Sequence, residues 1–173
     1  MERHVAFLRA INTPGRNVKM DRLRRAFESI GYDNVDTFIA TGNVIFDADK
    51  PISPEGIESA LERELGFSTA VYLRTAAETI AVADARPFGA SVDTGFEVSF
   101  LPAVPDPRAV DELLGTITGT DRLAVSDREV YWLLGGPRSE SAHKEATTVK
   151  ILGMQTTRRA IRTVQRIADT YLR

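Results

Sequence analysis

Phe7-Leu8-Arg9-Ala10-Ile11-Asn12 runs into the loop Thr13-Pro14-Gly15-Arg16-Asn17, and Ala40-Thr41-Gly42-Asn43-Val44-Ile45-Phe46 follows further on. From Val5 to Ile11, apolar side chains fill both the odd positions (Val5, Phe7, Ile11) and the even ones (Ala6, Leu8, Ala10). Successive strand residues point to opposite faces, so this pattern predicts a strand buried on both. The Pro-Gly step ends it. The second stretch predicts strands over 35–41 and 44–48 around Gly42-Asn43, two residues that tolerate the positive φ of a tight hairpin.

Between these strands, Met20, Leu23, Phe27 and Ile30 recur at helical spacing, and Gly31 suits the terminating position. Ser53-Pro54-Glu55 supplies a cap, a proline at the first helical position and an acid at the positive end of the next helix. Ile57, Ala60, Leu61 and Leu65 form that helix's apolar stripe, and 69–73 reads as a fourth strand. The order βαββαβ is that of the ferredoxin-like unit.

The second half opens on Thr75-Ala76-Ala77-Glu78, a capping box, for a short helix to about Ala85. A strand over 97–101, a helix opened by Asp106-Pro107, a hairpin through 126–129, a helix over 141–152 and a last helix over 157–172 follow. The core of this half repeats β-α-β-β-α, with the last strand replaced by a helix. The expected fold is therefore α+β: two fused ferredoxin-like subdomains, 1–75 and 76–173, the second a diverged repeat, packed closely enough to cover the doubly apolar first strand.

Composition fits a folded globular protein, with 43% apolar and 27% charged residues among 173. There is no cysteine, which removes disulfides, thiolate catalysis and Cys-ligated zinc, and matches a reducing cytoplasm. No apolar run is long enough to span a membrane, and the N-terminus enters a strand with no cleavable leader, so a cytoplasmic location is expected. The net charge of −2 hides a segregation: residues 1–25 carry +5, residues 143–173 carry +5, and the middle carries −12. Basic termini that met in space would create a positive field on an acidic protein.

The strand ending in Arg9 and Asn12 and the Thr41-Gly42-Asn43-Val44 segment resemble the DUF1697 family, uncharacterised bacterial proteins that carry Leu-Leu-Arg-Gly-Ile-Asn and Ser-Gly-Asn-Val at these places. The family also carries Thr-Thr-Arg-Asn-Trp-Asn-Thr-Val after a Leu-Gly step. Counted from Leu152-Gly153, the family arginine falls on Arg159 and its Thr-Val on Thr163-Val164, while Ala160-Ile161-Arg162 replaces the two amides and the indole. The resemblance is strong in the first fifty residues and weak in the last thirty. It implies no established activity.

Chemistry is sparse in the residues themselves. His4 and His143 have no partner at metal-ligating spacing, no nucleophile elbow or phosphate loop is present, and a metal role for Asp47 and Asp49 is weaker than a polar-loop role. No metal and no cofactor is expected, and the reading favours binding over catalysis. Arg9, on the same side of the first strand as Phe7 and Ile11, requires either a structural ion pair or a ligand. Asn12, Arg16 and Lys19 around the helix N-terminus suggest an anion cradle. Asn43, Arg159 and Thr163 complete the expected set, which would bind a small anionic or polar ligand between the subdomains. The alternatives are a nucleic-acid-binding accessory role for the basic ends, and an enzyme whose Arg, Asn and Thr act by positioning alone. The sequence does not set the oligomeric state.

Overall fold

A computed structural model describes residues 1–173. The elements run β1 (Glu2–Leu8), α1 (Met20–Ser29), β2 (Asp33–Thr37), β3 (Asn43–Ala48), α2 (Pro54–Leu65), β4 (Val71–Thr75) and α3 (Ala76–Asp84). They continue with β5 (Phe96–Phe100), α4 (Pro107–Gly115), β6 (Arg122–Ser126), β7 (Glu129–Leu133), α5 (Glu145–Leu152), β8 (Thr157–Ala160) and α6 (Ile161–Ile167). A 3₁₀ turn lies at Arg138–Glu140 and a π turn closes the chain at Ala168–Leu172. This is a mixed α+β protein with two four-stranded antiparallel sheets, ordered β2-β3-β1-β4 and β6-β7-β5-β8. The chain divides into two compact units, 1–82 together with 167–173, and 83–166. The last seven residues belong with the first unit.

In the first unit β1 is central, and it is buried on both faces, as its composition demands. Ala6 and Leu8 face Leu23, Phe27, Ile57 and Leu61 of the helices, while Val5 and Phe7 on the opposite face are also fully buried. Burying a Leu or Phe side chain contributes roughly 1.5–3 kcal/mol, so this layer holds the sheet against both helices. The helix ends follow the expected chemistry. Ser53 Oγ accepts from the Gly56 N–H at 3.1 Å, and Gly66 closes α2 in the left-handed region. Thr75 and Glu78 exchange the two bonds of a capping box, at 2.8 and 3.1 Å, to open α3.

The hairpin between β2 and β3 differs from expectation. β2 ends at Thr37 and β3 begins at Asn43, so residues 38–42 form the loop in place of a two-residue Gly-Asn turn. Asn43 lies inside β3, fully buried, with its side-chain amide donating to the Phe38 carbonyl at 2.8 Å and to Thr41 Oγ1 at 3.0 Å. That amide closes the wider loop from within.

The second unit departs from the sequence reading in two places. The segment 157–160 is a strand, not the start of a helix: β8 pairs with β5 from Phe100↔Thr157 to Glu97↔Ala160. Thr156 and Thr157 are β-branched and buried, and strand pairing overrides the helical periodicity of the arginines. This half therefore also has a complete β-α-β-β-α-β order, with the sheet order of the first. Arg158, Arg162 and Arg166 stand at i, i+4 and i+8, the spacing of one helix face, but Arg158 lies on β8 and only the other two on α6. The helix expected from 141 starts at Glu145, because Ser141 and His143 spend their polar groups on buried side-chain bonds instead of helix continuation. Leu101, Leu113, Val130 and Leu152 form this unit's core under its helices, and Phe96, Val98, Phe100 and Tyr131 are buried as well.

Candidate functional site

The residues singled out in the first half converge at the end of the sheet where β1 exits. The backbone of Arg9 is fixed on both sides, its N–H donating to the Ala70 carbonyl at 3.0 Å and its carbonyl accepting from Thr69 Oγ1. Its side chain is exposed. The expectation of a charge on a buried strand position is thus corrected: β1 ends at Leu8, and the chain turns before Arg9 can enter the core.

The turn is made at a cost. Ala10 (φ 55°), Asn12 (φ 54°) and Ile39 (φ 52°) all occupy the left-handed region. Asparagine tolerates it, but an alanine and above all a β-branched isoleucine there cost about 1–3 kcal/mol each. Asn12 holds the arrangement. Its Nδ2 donates to the Ala40 carbonyl at 2.7 Å, and its Oδ1 accepts from the Val18 N–H at 2.5 Å. Gly42 adds a second tie, its carbonyl accepting from the Leu8 N–H at 2.8 Å. The loop after β1 and the 38–42 loop are therefore one knitted structure.

This structure presents cations. Arg16 is exposed, its guanidinium 4.5 Å from the centre of the Phe67 ring, and its N–H closes a turn on the Thr13 carbonyl at 2.8 Å. Lys19 is exposed at the cap position of α1, where no side chain satisfies the helix N-terminus. Arg3, Arg22 and Arg25 are engaged by carboxylates, whereas no ion pair holds Arg16 or Lys19. Asn43 is buried inside β3, and the other two predicted residues belong to the second unit. Arg159 is buried on β8, its Nη1 donating to Thr157 Oγ1 at 2.9 Å and to the Arg158 carbonyl at 2.8 Å, and burial depresses its pKa to about 10. Thr163 is half-buried on α6.

Sequence reasoning missed a buried polar network in the second unit. Asp121 accepts from Trp132 Nε1 at 3.0 Å, from the Gly135 N–H at 2.9 Å and from Ser141 Oγ. Ser141 Oγ also accepts from the His143 N–H at 3.2 Å, and the His143 ring meets Thr148 Oγ1 at 3.1 Å. Serine, histidine and aspartate are neighbours here without a nucleophile's geometry, since the serine bonds the carboxylate and the imidazole bonds a threonine. Asp121, Ser141 and His143 of this network come from loops with no periodicity, and the available signal was the single tryptophan, on β7.

The family follows from sequence comparison. The DUF1697 profile, described as a protein of unknown function, matches residues 1–131, which include both knitted loops. The chain belongs to the DUF1697 family. No curated protein matches it. A solved structure, the conserved bacterial protein SP0830 from Streptococcus pneumoniae, is similar to this DUF1697 chain with a TM-score of 0.79 and 21% identity, over 98% of this chain and 97% of that one. That likeness establishes a shared fold. No helix of this DUF1697 protein is long and apolar enough to cross a membrane.

Proposed function

We propose that the first unit binds a small anionic ligand at the loop after β1, with Arg9, Arg16 and Lys19 supplying charge and Asn12 holding the loop in shape. Two non-asparagine residues in costly left-handed conformations support the reading, because Ala10 lies in the loop that carries these cations and Ile39 in the 38–42 loop to which Asn12 ties it. Strain of this kind concentrates at ligand clamps, where a fixed backbone is worth its cost in stability. Arg16 and Lys19, exposed at this loop of an acidic protein, give it a local positive field suited to an anion. The repeated βαββαβ order with sheet order 2-3-1-4 supports reading each half as a ferredoxin-like unit, the product of a duplication.

The test is a thermal-shift screen of the full chain with orthophosphate, citrate and AMP. A saturable rise in melting temperature that disappears in the Arg16→Ser/Lys19→Ser double variant, whose own melting point matches the parent, supports the site. A shift retained in the double variant rejects it. The competing nucleic-acid role, favoured by the two basic terminal segments, predicts binding that weakens steeply with salt, since several phosphate contacts release counterions. A pocket with one or two charge contacts loses little.

A further inference from the structure

We propose that the second unit binds a small protonated amine in the cavity between the 116–121 loop and the 134–144 loop. The cavity measures 310 Å³ and takes its polar lining from Thr118, Thr120, Asp121, Glu140 and Ser141. That volume is at the lower end of the range for small-ligand sites. Two carboxylates line it and no lysine or arginine does. Arg138 of the same loop has its guanidinium paired with Glu97 at 2.5 Å and lying 4.8 Å from the centre of the Trp132 ring. The lining side chains themselves therefore carry net negative charge.

Asp121 is prepared to act as the acceptor. It is 8% exposed. Burial pushes its carboxyl pKa up, but bonds from Ser141, Gly135 and Trp132 outweigh this and hold it below the ordinary value, so it is ionised at neutral pH. An ionised carboxylate accepts about four hydrogen bonds, and three positions are filled by the protein. The remaining position, together with exposed Glu140 and the hydroxyl of Thr118 or Thr120, matches the three donors of an ammonium group. A divalent cation fits less well, because it takes roughly six oxygen ligands with open carboxylate lone pairs. Nowhere are three or more His, Cys, Asp or Glu side chains grouped to hold a metal ion. This site is independent of the anion site proposed for the first unit.

Trp132 is the single tryptophan of the chain, and its indole N–H bonds the very carboxylate that lines the cavity. The indole ¹H–¹⁵N resonance of the full-length protein is therefore a one-signal reporter. Titration with ethanolamine and with glucosamine at neutral pH is expected to give a saturable shift of that resonance, and the uncharged counterparts ethylene glycol and glucose none. Glu140→Gln, a change at an exposed position, is expected to weaken amine binding roughly two- to fivefold without altering the melting temperature. The proposal is overturned if no amine gives a saturable shift, or if the neutral counterparts shift the signal equally. A response to MgCl₂ alone, or an amine affinity unchanged by Glu140→Gln, also overturns it.

Discussion

The side-chain amide of Asn12 reaches across to the Ala40 carbonyl at 2.7 Å while its oxygen accepts from the Val18 N–H at 2.5 Å, so one residue joins the end of the first strand, the start of α1 and the hairpin loop. Asn12→Ala deletes both bonds, leaving the part-buried Val18 N–H without this partner and the exposed Ala40 carbonyl to water. The expected loss is about 1–3 kcal/mol in urea unfolding, with the slope unchanged. Asn12→Asp retains the acceptor for Val18 but sets a carboxylate against the Ala40 carbonyl, so it recovers little of the loss. A variant within about 0.5 kcal/mol of the parent would show that the loops hold without this residue.

Gly42 and Gly31 separate backbone conformation from crowding. Both have positive φ, 84° and 86°, but a Cβ on Gly42 would lie 2.9 Å from Ile11 Cγ1 and 3.1 Å from Leu8 Cβ, whereas Gly31 faces open space. Gly31→Ala should cost about 1–2 kcal/mol, the left-handed penalty alone. Gly42→Ala adds a clash with two buried core side chains, and overpacking costs about 1–3 kcal/mol more. Thermal melts of the two variants test this directly, and equal losses would mean that the Ile11 contact relaxes freely.

His143 makes stability depend on pH. It is 5% exposed, its Nε2 meets Thr148 Oγ1, and its Nδ1 has no hydrogen-bond partner. Burial lowers its pKa below the ordinary 6.5, Glu145 and Asp121 pull it back up in part, and Arg158 lowers it further. The native state therefore holds the neutral imidazole while the unfolded chain takes up a proton as pH falls through about 6.5. Stability is full above that value and declines between it and the lower native pKa. Melting temperatures measured from about pH 8 to about pH 5 should fall through this window, and the slope there should flatten in His143→Gln. A parent and variant with the same slope would place the titrating group elsewhere.

What the sequence made legible was whatever recurs with a period or sits at an element's end. The doubly apolar Val5–Leu8 run, the α2 stripe and the Thr75–Glu78 capping box all describe local physics, and each stands in the structure. The errors came where tertiary pairing decides. Thr157–Ala160 precedes a true helix and carries arginines at helical spacing with it, so only the ladder to β5 makes it a strand. Arg9 reads as strand by alternation, but left-handed Ala10 and Asn12 turn the chain at that point, and neither is a residue that announces such a conformation as glycine would. The candidate site was legible as a set of cations near a Pro-Gly loop. Its knitting to residues 38–42 was not, because Asn12 to Ala40 is a contact between loops distant in sequence.

Arg9 gives the clearest separation between a structural arginine and a binding one. A guanidinium paired with a buried carboxylate would leave that charge stranded when removed, at a cost of about 3–5 kcal/mol. Arg9 is exposed, and its backbone N–H and carbonyl make bonds that any residue there retains. Arg9→Leu is therefore expected to change stability by less than about 1 kcal/mol, the range of exposed ion pairs and surface substitutions. In the same variant an anion-induced thermal shift should shrink or vanish, because the charge that contributes to it is gone. The two readings divide the outcomes: a loss near 3 kcal/mol with the ligand shift intact assigns Arg9 to the scaffold, and an unchanged melting point with the shift abolished assigns it to the site.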